Sequence, residues 1–172
     1  MAQLSILLAP DPRLKQRAEP VARVDRDVRR LMDDMLDAMH GSNGIGLAAP
    51  QVGVMKRVIV VDVSMPDEAP KPYRMVNPEL LWHSEDMVAG EEGCLSLPEQ
   101  FGEVTRPRAI RVRYLDEEGE SRELDADGLL AKCIQHEMDH LEGALFVDHL
   151  SLLKRNIILR RMVKVKKLAA AG

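Results

Sequence analysis

Two histidines and a glutamate in the C-terminal third of the chain have the types and the spacing of a metal site. Residues 135–140 read QHEMDH, so that His136 and His140 lie four residues apart with Glu137 beside the first of them. On a helix, this spacing places both imidazoles on one face, where they can bind one metal ion. A glutamate at this position can act as a general base toward a water molecule on the metal. The pattern therefore predicts the chemistry of a metal-dependent hydrolase.

The surrounding residues predict that both histidines lie on a largely buried helix over residues 128–142. At about 100° per residue, His136 and His140 share a narrow stripe that otherwise holds Leu129 and Cys133. The apolar arc beside this stripe consists of Leu130, Ile134, Met138 and Leu141. Buried polar groups are costly when they are unpaired, and a metal would satisfy both imidazoles. The alternative is a core helix with two hydrogen-bonded histidines, and a third ligand would decide between the two.

The two cysteines are the obvious candidates for a third ligand. A closed zinc site with Cys94, Cys133 and both histidines is disfavoured. Cys133 and His140 would lie about 10 Å apart along the helix axis, whereas zinc–ligand bonds are only about 2.0–2.3 Å long. Cys94, His136 and His140 would leave an open position, which is typical of catalytic sites, and Cys133 is then predicted to be a small buried residue lining the site. The alternative for Cys94 is a free thiol in a tight turn.

Composition bounds the class of protein. The chain has 172 residues, 45% of them hydrophobic and 30% charged, with a formal net charge of −4, which suits one domain of about 150 residues with an appendage. Two cysteines exclude a disulfide scaffold, and the mild acidity gives no reason to expect DNA as a partner. No segment approaches the roughly 18 apolar residues of a membrane span, and the N-terminus does not resemble a secretion signal. We expect a cytoplasmic protein without a membrane partner.

Several predicted elements must position the candidate ligands. Residues 25–40 predict an amphipathic helix that Asp25 caps and Gly41 ends, and residues 57–63 predict a buried strand. Shorter strands are predicted at 73–76, 80–83, 110–114 and 122–124, the first two separated by Asn77 and Pro78. The fold class predicted is α+β, with mixed or antiparallel β-strands packed around a central metal-binding helix, an N-terminal helix and a long C-terminal helix.

The end of the chain predicts a basic helix that Ser151 caps and that runs to Lys167. Residues 151–172 contain seven Lys and Arg and no acidic residue, so that subtracting +7 from −4 leaves −11 for residues 1–150. We expect residues 1–150 to form a catalytic metallohydrolase domain and residues 151–172 to be an appendage of it, docked through apolar residues such as Leu153, Ile157 and Met162. The basic charge either balances the acidic body or binds ribosomal RNA phosphates.

Three segments together resemble a known family. GIGLAAPQ at 44–51 lacks the signatures of a P-loop or a dinucleotide site, although its glycines permit close approach of the backbone to a ligand. GIGLAAPQ, EGCLS and QHEMDHLEG, in that order and at these separations, resemble the three motifs of peptide deformylases. The resemblance extends from PDPRL near the N-terminus to FVDHLS before the last helix. The long C-terminal helix resembles that of the bacterial type 1 members.

This resemblance implies a metal centre and its catalytic partner. Cys94, His136 and His140 match the metal ligands, and Glu137 matches the general acid/base. One divalent metal is implied, with Fe(II) expected and zinc, nickel or cobalt as possible replacements. Glu92 matches one member of an ion pair behind the site. Its partner is Arg106.

The resemblance also implies the groups that handle the substrate. Gln51 matches a side-chain donor to the oxyanion, and Leu95 supplies a backbone N–H to the same oxygen. The positions that match backbone contacts with the bound peptide are Ile45, Gly46 and Gly93. By position, the candidates for an apolar pocket that holds a methionine side chain are Leu129, Cys133 and Ile45.

The implied reaction removes the formyl group from N-formylmethionyl nascent chains, giving formate and a free amine. The implied partners are this formyl-Met peptide and the ribosome, the latter through the basic helix. Two other functions use the same features: a metallopeptidase with the same H-E-x-x-H chemistry, and a metal-stabilised ribosome-binding module without catalysis. Cys94 within EGCLS argues against the peptidase, and Glu137 beside an open metal position argues against the binding module.

Overall fold

Seven β-strands and three α-helices make up the part of the chain that the computed structural model describes, residues 3–171. In chain order they are α1 (Arg26–Gly41), β1 (Gly46–Ala48), β2 (Val58–Val61), β3 (Tyr73–His83), β4 (Met87–Cys94), β5 (Leu97–Pro107), β6 (Ala109–Leu115), β7 (Ser121–Asp127), α2 (Gly128–Leu141) and α3 (Leu152–Ala171). Short 3-10 helices occupy Pro12–Lys15, Ala49–Val52 and Phe146–His149. The α+β fold class, the N-terminal helix, the helix that carries the histidines and the long C-terminal helix are confirmed.

Five strands form one antiparallel sheet in the order β1-β2-β3-β6-β7. Successive residues of a strand point to opposite faces, and β2 is apolar on both. Ile59 and Val61 lie in the core cluster that contains the apolar residues of α2. Val58 and Val60 lie in the cluster that contains the methionines of α1. The sheet is therefore sandwiched between α2, which carries the histidines, and α1.

The prediction of two short strands separated by Asn77 and Pro78 is wrong, because β3 runs unbroken through both residues. The pairing register between β3 and β6 shifts at this point. Such an irregularity in the hydrogen-bond ladder lets the strand contain a proline. Asn77 has a φ of 51°. Its side-chain amide accepts the N–H of Val21 at 2.8 Å and donates to the Val21 carbonyl at 2.9 Å. A contact between distant segments thus holds the irregular residue within the strand.

A second, two-stranded sheet was not predicted. β4 and β5 form an antiparallel hairpin in which Cys94 pairs with Leu97 across a turn of Leu95 and Ser96. β4 reads MVAGEEGC, with two glycines and two glutamates and one β-branched residue, which is a weak strand signal. The candidate ligand Cys94 is therefore the last residue of a strand, at the tip of a hairpin.

The C-terminal helix α3 continues beyond the predicted end to Ala171. Ser151 Oγ accepts the backbone N–H of Lys154 at 3.2 Å, so Ser151 caps the helix as predicted. Ile158 and Met162 are the side chains that α3 buries in the third core cluster. Leu153 and Ile157, which were expected to help dock the helix, are instead exposed. Within residues 3–171, no helix combines the length and the apolar character that crossing a membrane requires.

Candidate metal centre

Cys94, His136 and His140 converge although they come from two different elements. α2 supplies the two histidines, whose ring centroids lie 5.1 Å apart, and the end of β4 supplies the cysteine. One donor atom from each residue lies within 4.8 Å of the others, and Cys94 Sγ lies 3.4 Å from His140 Nε2. Cys133 does not belong to this cluster, which is the one such group of ligand atoms among residues 3–171. A thiolate with two imidazoles suits zinc or iron.

The environment of these residues fits a divalent metal ion. Burial holds the pKa of His140 well below its ordinary value, so the ring is neutral, as a metal ligand must be. His140 Nδ1 and Glu137 Oε1 are buried, and neither has a hydrogen-bond partner within the described part of the chain. Because an unpaired buried polar atom is costly, a carboxylate oxygen left free beside three donor atoms points to a missing partner at this place.

A buried carboxylate orients the first histidine. Glu92 Oε1 lies 3.0 Å from His136 Nδ1, which leaves Nε2 as the free ring nitrogen. Arg106 donates to both oxygens of Glu92, at 2.6 and 2.9 Å, and to Asp139 at 2.9 Å. Burial alone would raise the pKa of Glu92, but hydrogen bonds from His136 and Arg106 lower it to about 2. The ion pair that was expected behind the site is thus anchored to α2 at two places.

The side-chain amide of Gln51 is fixed as a donor facing the cluster. Gln51 lies in the 3-10 helix that follows β1, and its side chain is almost fully buried. Its Oε1 accepts the backbone N–H of Ala48 at 3.0 Å. Its Nε2 donates to Ser96 Oγ at 3.1 Å and lies 3.4 Å from Cys94 Sγ. Because the oxygen is occupied, the amide presents its N–H group to the site.

β1 approaches α2 so closely that any side chain at residue 46 would have to displace Glu137 or Cys133. A Cβ on Gly46 would lie 2.5 Å from Glu137 Oε2 and 2.7 Å from Cys133 Sγ, distances that real Cβ atoms essentially never show. The thiol of Cys133 in turn donates to the carbonyl of Ile45 at 3.4 Å. Burial raises the pKa of Glu137 to about 7, which suits a group that exchanges protons near neutral pH.

The predicted site residues surround one cavity of about 510 Å³. Those that line it are Ile45, Gly46, Gln51, Glu92, Gly93, Cys94, Leu95, Leu129, Cys133, His136 and Glu137. His140 and Arg106 are the exceptions. His140 lies against Cys94, and Arg106 lies behind Glu92. Ile45 and Leu129 are 40% and 48% exposed, so they offer apolar surface to a molecule entering the cavity.

Sequence reasoning missed three residues that support this arrangement. Ser96 lies in EGCLS, two residues after the cysteine, and its place in the motif was a usable signal. Asp139 lies inside QHEMDH, next to His140, and accepts a hydrogen bond from Arg106 of the distant strand β5. His149 Nε2 lies 2.8 Å from Asp139 Oδ2. No sequence pattern signals that contact, because it depends on the turn that leads into α3.

Comparisons with known proteins agree on one family. A model of the polypeptide deformylase family matches residues 3–156. The chain is similar to a peptide deformylase of Phenylobacterium zucineum, with 55% identity over 100% of both chains, and to one of Methylocella silvestris, with 54% identity over 96% of this chain and 86% of the relative. It is also similar to the crystal structure of peptide deformylase from Ehrlichia chaffeensis, with 40% identity, a TM-score of 0.93 and coverage of 98% and 99% of the two chains. A structure of the Ehrlichia chaffeensis protein in complex with actinonin has a TM-score of 0.90 and 44% identity over 97% of this chain and 98% of the other.

The contact between Glu92 and His136 predicts an effect on metal binding. Glu92→Gln keeps the shape of the side chain but removes the charge that orients the imidazole. We expect metal affinity to fall about 10- to 100-fold, as is typical when such a partner is lost. Competition with a chromophoric chelator for Zn(II) measures this. Glu103→Gln, at an exposed position of the same hairpin, is the matched control, and equal affinities in the two variants would contradict the role of Glu92.

Proposed function

The chain belongs to the polypeptide deformylase family, and on this premise we propose which of its residues carry out the reaction. The protein is a hydrolase that removes the N-formyl group from nascent peptides, giving formate and a free amine. This membership decides against the metallopeptidase and the binding module considered from sequence. The observation that carries the assignment of residues is the convergence of Cys94, His136 and His140 beside the unpaired oxygen of Glu137.

We propose that Cys94, His136 and His140 bind one divalent metal, which is Fe(II) in the working enzyme and can be replaced by zinc, nickel or cobalt. The donor set supports iron and zinc alike, and the resemblance to deformylases favours iron. When bound, the metal polarises the formyl carbonyl and lowers the pKa of the attacking water. Glu92 and Arg106 position His136 for this purpose through their buried contacts.

Gln51 and the backbone N–H of Leu95 are proposed to stabilise the oxyanion that develops on the formyl oxygen. The amide of Gln51 is already oriented by the N–H of Ala48, so little reorganisation is needed during the reaction. Leu95 lies in the turn directly after Cys94, which places its backbone at the same edge of the cavity. Losing one such donor typically slows a reaction about 100- to 1,000-fold.

Glu137 is proposed to be the general acid/base. Its Oε1 atom is buried beside the metal ligands, 4.0 Å from His140 Nε2, and has no hydrogen-bond partner within the described residues. The backbone of Gly46 lies close to its other oxygen, which limits the freedom of the carboxylate to turn away. In this position it takes a proton from the attacking water and delivers it to the departing amine.

The peptide is proposed to bind along the edges of the same cavity. Ile45, Gly46 and Gly93 contact its backbone. Leu129, Cys133 and Ile45 form the pocket for the methionine side chain. The support is that all five residues line the same cavity as Cys94 and His136.

We further propose that residues 1–150 form the catalytic domain, that the enzyme acts in the cytoplasm, and that the basic segment 151–172 binds the ribosome. Most of the α3 surface is exposed, because the helix buries only Ile158 and Met162 among its described residues. The basic residues on the exposed surface are Lys154, Arg160, Arg161, Lys164, Lys166 and Lys167. Such a surface suits phosphate groups of ribosomal RNA.

Removing the carboxylate of residue 137 should separate metal binding from catalysis. Glu137→Ala should retain the metal, because Glu137 is not one of the three ligands. Formate release from a formyl-Met peptide should fall by about 100-fold or more, the range that general acid–base groups contribute. Metal content and formate release are measured on the same sample. Glu118→Ala, in the exposed turn before β7, is the control. Wild-type turnover by Glu137→Ala would overturn the role.

The metal proposal is tested by purification without oxygen. We expect elemental analysis to find mainly iron, and we expect the Fe(II)-loaded enzyme to release formate at least as fast as preparations loaded with zinc, nickel or cobalt. A chelator should abolish the activity. If elemental analysis found mainly zinc, and the zinc-loaded enzyme released formate as fast as the Fe(II)-loaded enzyme or faster, Fe(II) would be contradicted as the working metal.

The ribosome proposal predicts a dependence on salt and charge. Deleting residues 151–172 would also remove the buried Ile158 and Met162, so substitution is the sharper test. The triple variant Arg160→Ala, Arg161→Ala and Lys164→Ala should co-sediment less with ribosomes and should show a smaller dependence of log affinity on log salt, by about 0.7–0.9 for each lost phosphate contact. The control changes three exposed basic residues near α1, Arg23, Arg26 and Arg30, to alanine. Equal binding by both triple variants would reject α3 as the contact.

A further inference from the structure

A second cavity of about 300 Å³ lies behind the site cavity, between the β4–β5 hairpin and the first turn of α2. Both cavities are lined by Glu92, Leu129 and Lys132. These three residues therefore form the partition between the two spaces. The apolar side chains that line the second cavity are Val88, Val104 and Pro107 of the hairpin together with Leu129, and Arg106 and Arg108 line it as well.

Lys132 is the side chain that spans this partition. It starts on α2, and its Nζ atom donates to the backbone carbonyl of Glu91 on β4 at 2.5 Å. The residue is half-buried. A lysine in this position exposes its aliphatic stem to both cavities, while its ammonium group is hydrogen-bonded to the Glu91 carbonyl. The stem thus joins α2 to the hairpin across the gap between the two cavities.

Gly90 on β4 lets the lysine cross. A Cβ at Gly90 would lie 3.2 Å from Lys132 Nζ and 3.9 Å from Cε. The end of the lysine therefore lies directly over the backbone of β4, at a position that carries no side chain. Glu92 also joins β4 to α2, but as a carboxylate held in place by Arg106 and His136. Leu129 is half exposed. Lys132 is therefore the shared residue whose aliphatic stem reaches from α2 to the hairpin.

We propose that Lys132 determines specificity by limiting the length of the first side chain that the enzyme accepts. The inference rests on the proposed function, in which Leu129 and Cys133 hold that side chain in the site cavity. The stem of Lys132 closes the end of this pocket. Without the stem, an unbranched apolar side chain longer than that of methionine would extend into the second cavity, whose walls are apolar enough to receive it.

The test compares formyl peptides that differ only in the first residue. The 2-aminohexanoic acid side chain has about the length of methionine, and the 2-aminooctanoic acid side chain is two methylenes longer. Formate release gives kcat/KM for both substrates with the wild type, Lys132→Ala and Lys132→Ser. We expect the wild type to disfavour the longer substrate. The ratio of kcat/KM for the longer substrate to kcat/KM for the shorter one should rise about tenfold or more in both variants. A pocket discriminates between substrates by roughly that much per methylene.

Arg108→Ala is the matched control. Arg108 lines only the second cavity, so its substitution removes a positive charge without opening the partition, and the ratio should stay at the wild-type value. A crystal structure of Lys132→Ala should show one continuous cavity. An unchanged ratio in both Lys132 variants, or an equal rise in Arg108→Ala, would overturn the proposal. Failure of the wild type to release formate from formyl-Met peptides would instead count against the proposed function.

Discussion

A single buried carboxylate joins the two elements that supply the candidate metal ligands. Glu92 lies on β4, two residues before Cys94, and its oxygens contact His136 of α2 and Arg106 of β5. Arg106 also reaches Asp139 of α2, so the hairpin and the helix are tied at two points. Leaving one member of such a buried pair unpaired typically costs about 3–5 kcal/mol. The position of Cys94 relative to the histidines therefore depends on this network, although none of its acidic members belongs to the cluster of candidate ligands.

The distance between α2 and the strands beside it is set by residues that lack side chains. Gly46 of β1 leaves room for Glu137, and Gly90 of β4 leaves room for Lys132. The two glycines lie on different sheets, Gly46 at the site cavity and Gly90 at the second cavity. The functional side chains of the helix thus fill spaces that the strands leave open. A larger residue at either glycine would displace a side chain of α2 before it disturbed the core.

The sequence predicted the ligand-bearing helix well and the hairpin poorly, for physical reasons. The periodicity of α2 and the spacing of its histidines are local features, so they can be recognised within one segment of the sequence. β4 owes its extended form to pairing with β5 and to charged contacts with α2, which no pattern within MVAGEEGC shows. The exclusion of Cys133 and the family motif together identify Cys94 as the candidate third ligand. Asn77 is a further case, because its contact with Val21 keeps β3 continuous where the local residues predict a break.

The ion pairs that the basic residues of α3 form distinguish between the two roles considered for this helix. If the seven basic residues served to balance the acidic body, they should lie against acidic side chains. Within residues 3–171, only two of them have an acidic partner within 4.0 Å: Arg155 with Asp148 at 2.9 Å, and Lys166 with Asp11 at 3.9 Å. The other five are not used for ion pairs in the described part of the chain. Exposed lysines and arginines repel one another along a helix, so their concentration here is a cost to the isolated protein. A partner that carries closely spaced negative charges would offset this cost, which favours phosphate binding over internal charge balance as the reason for the basic helix.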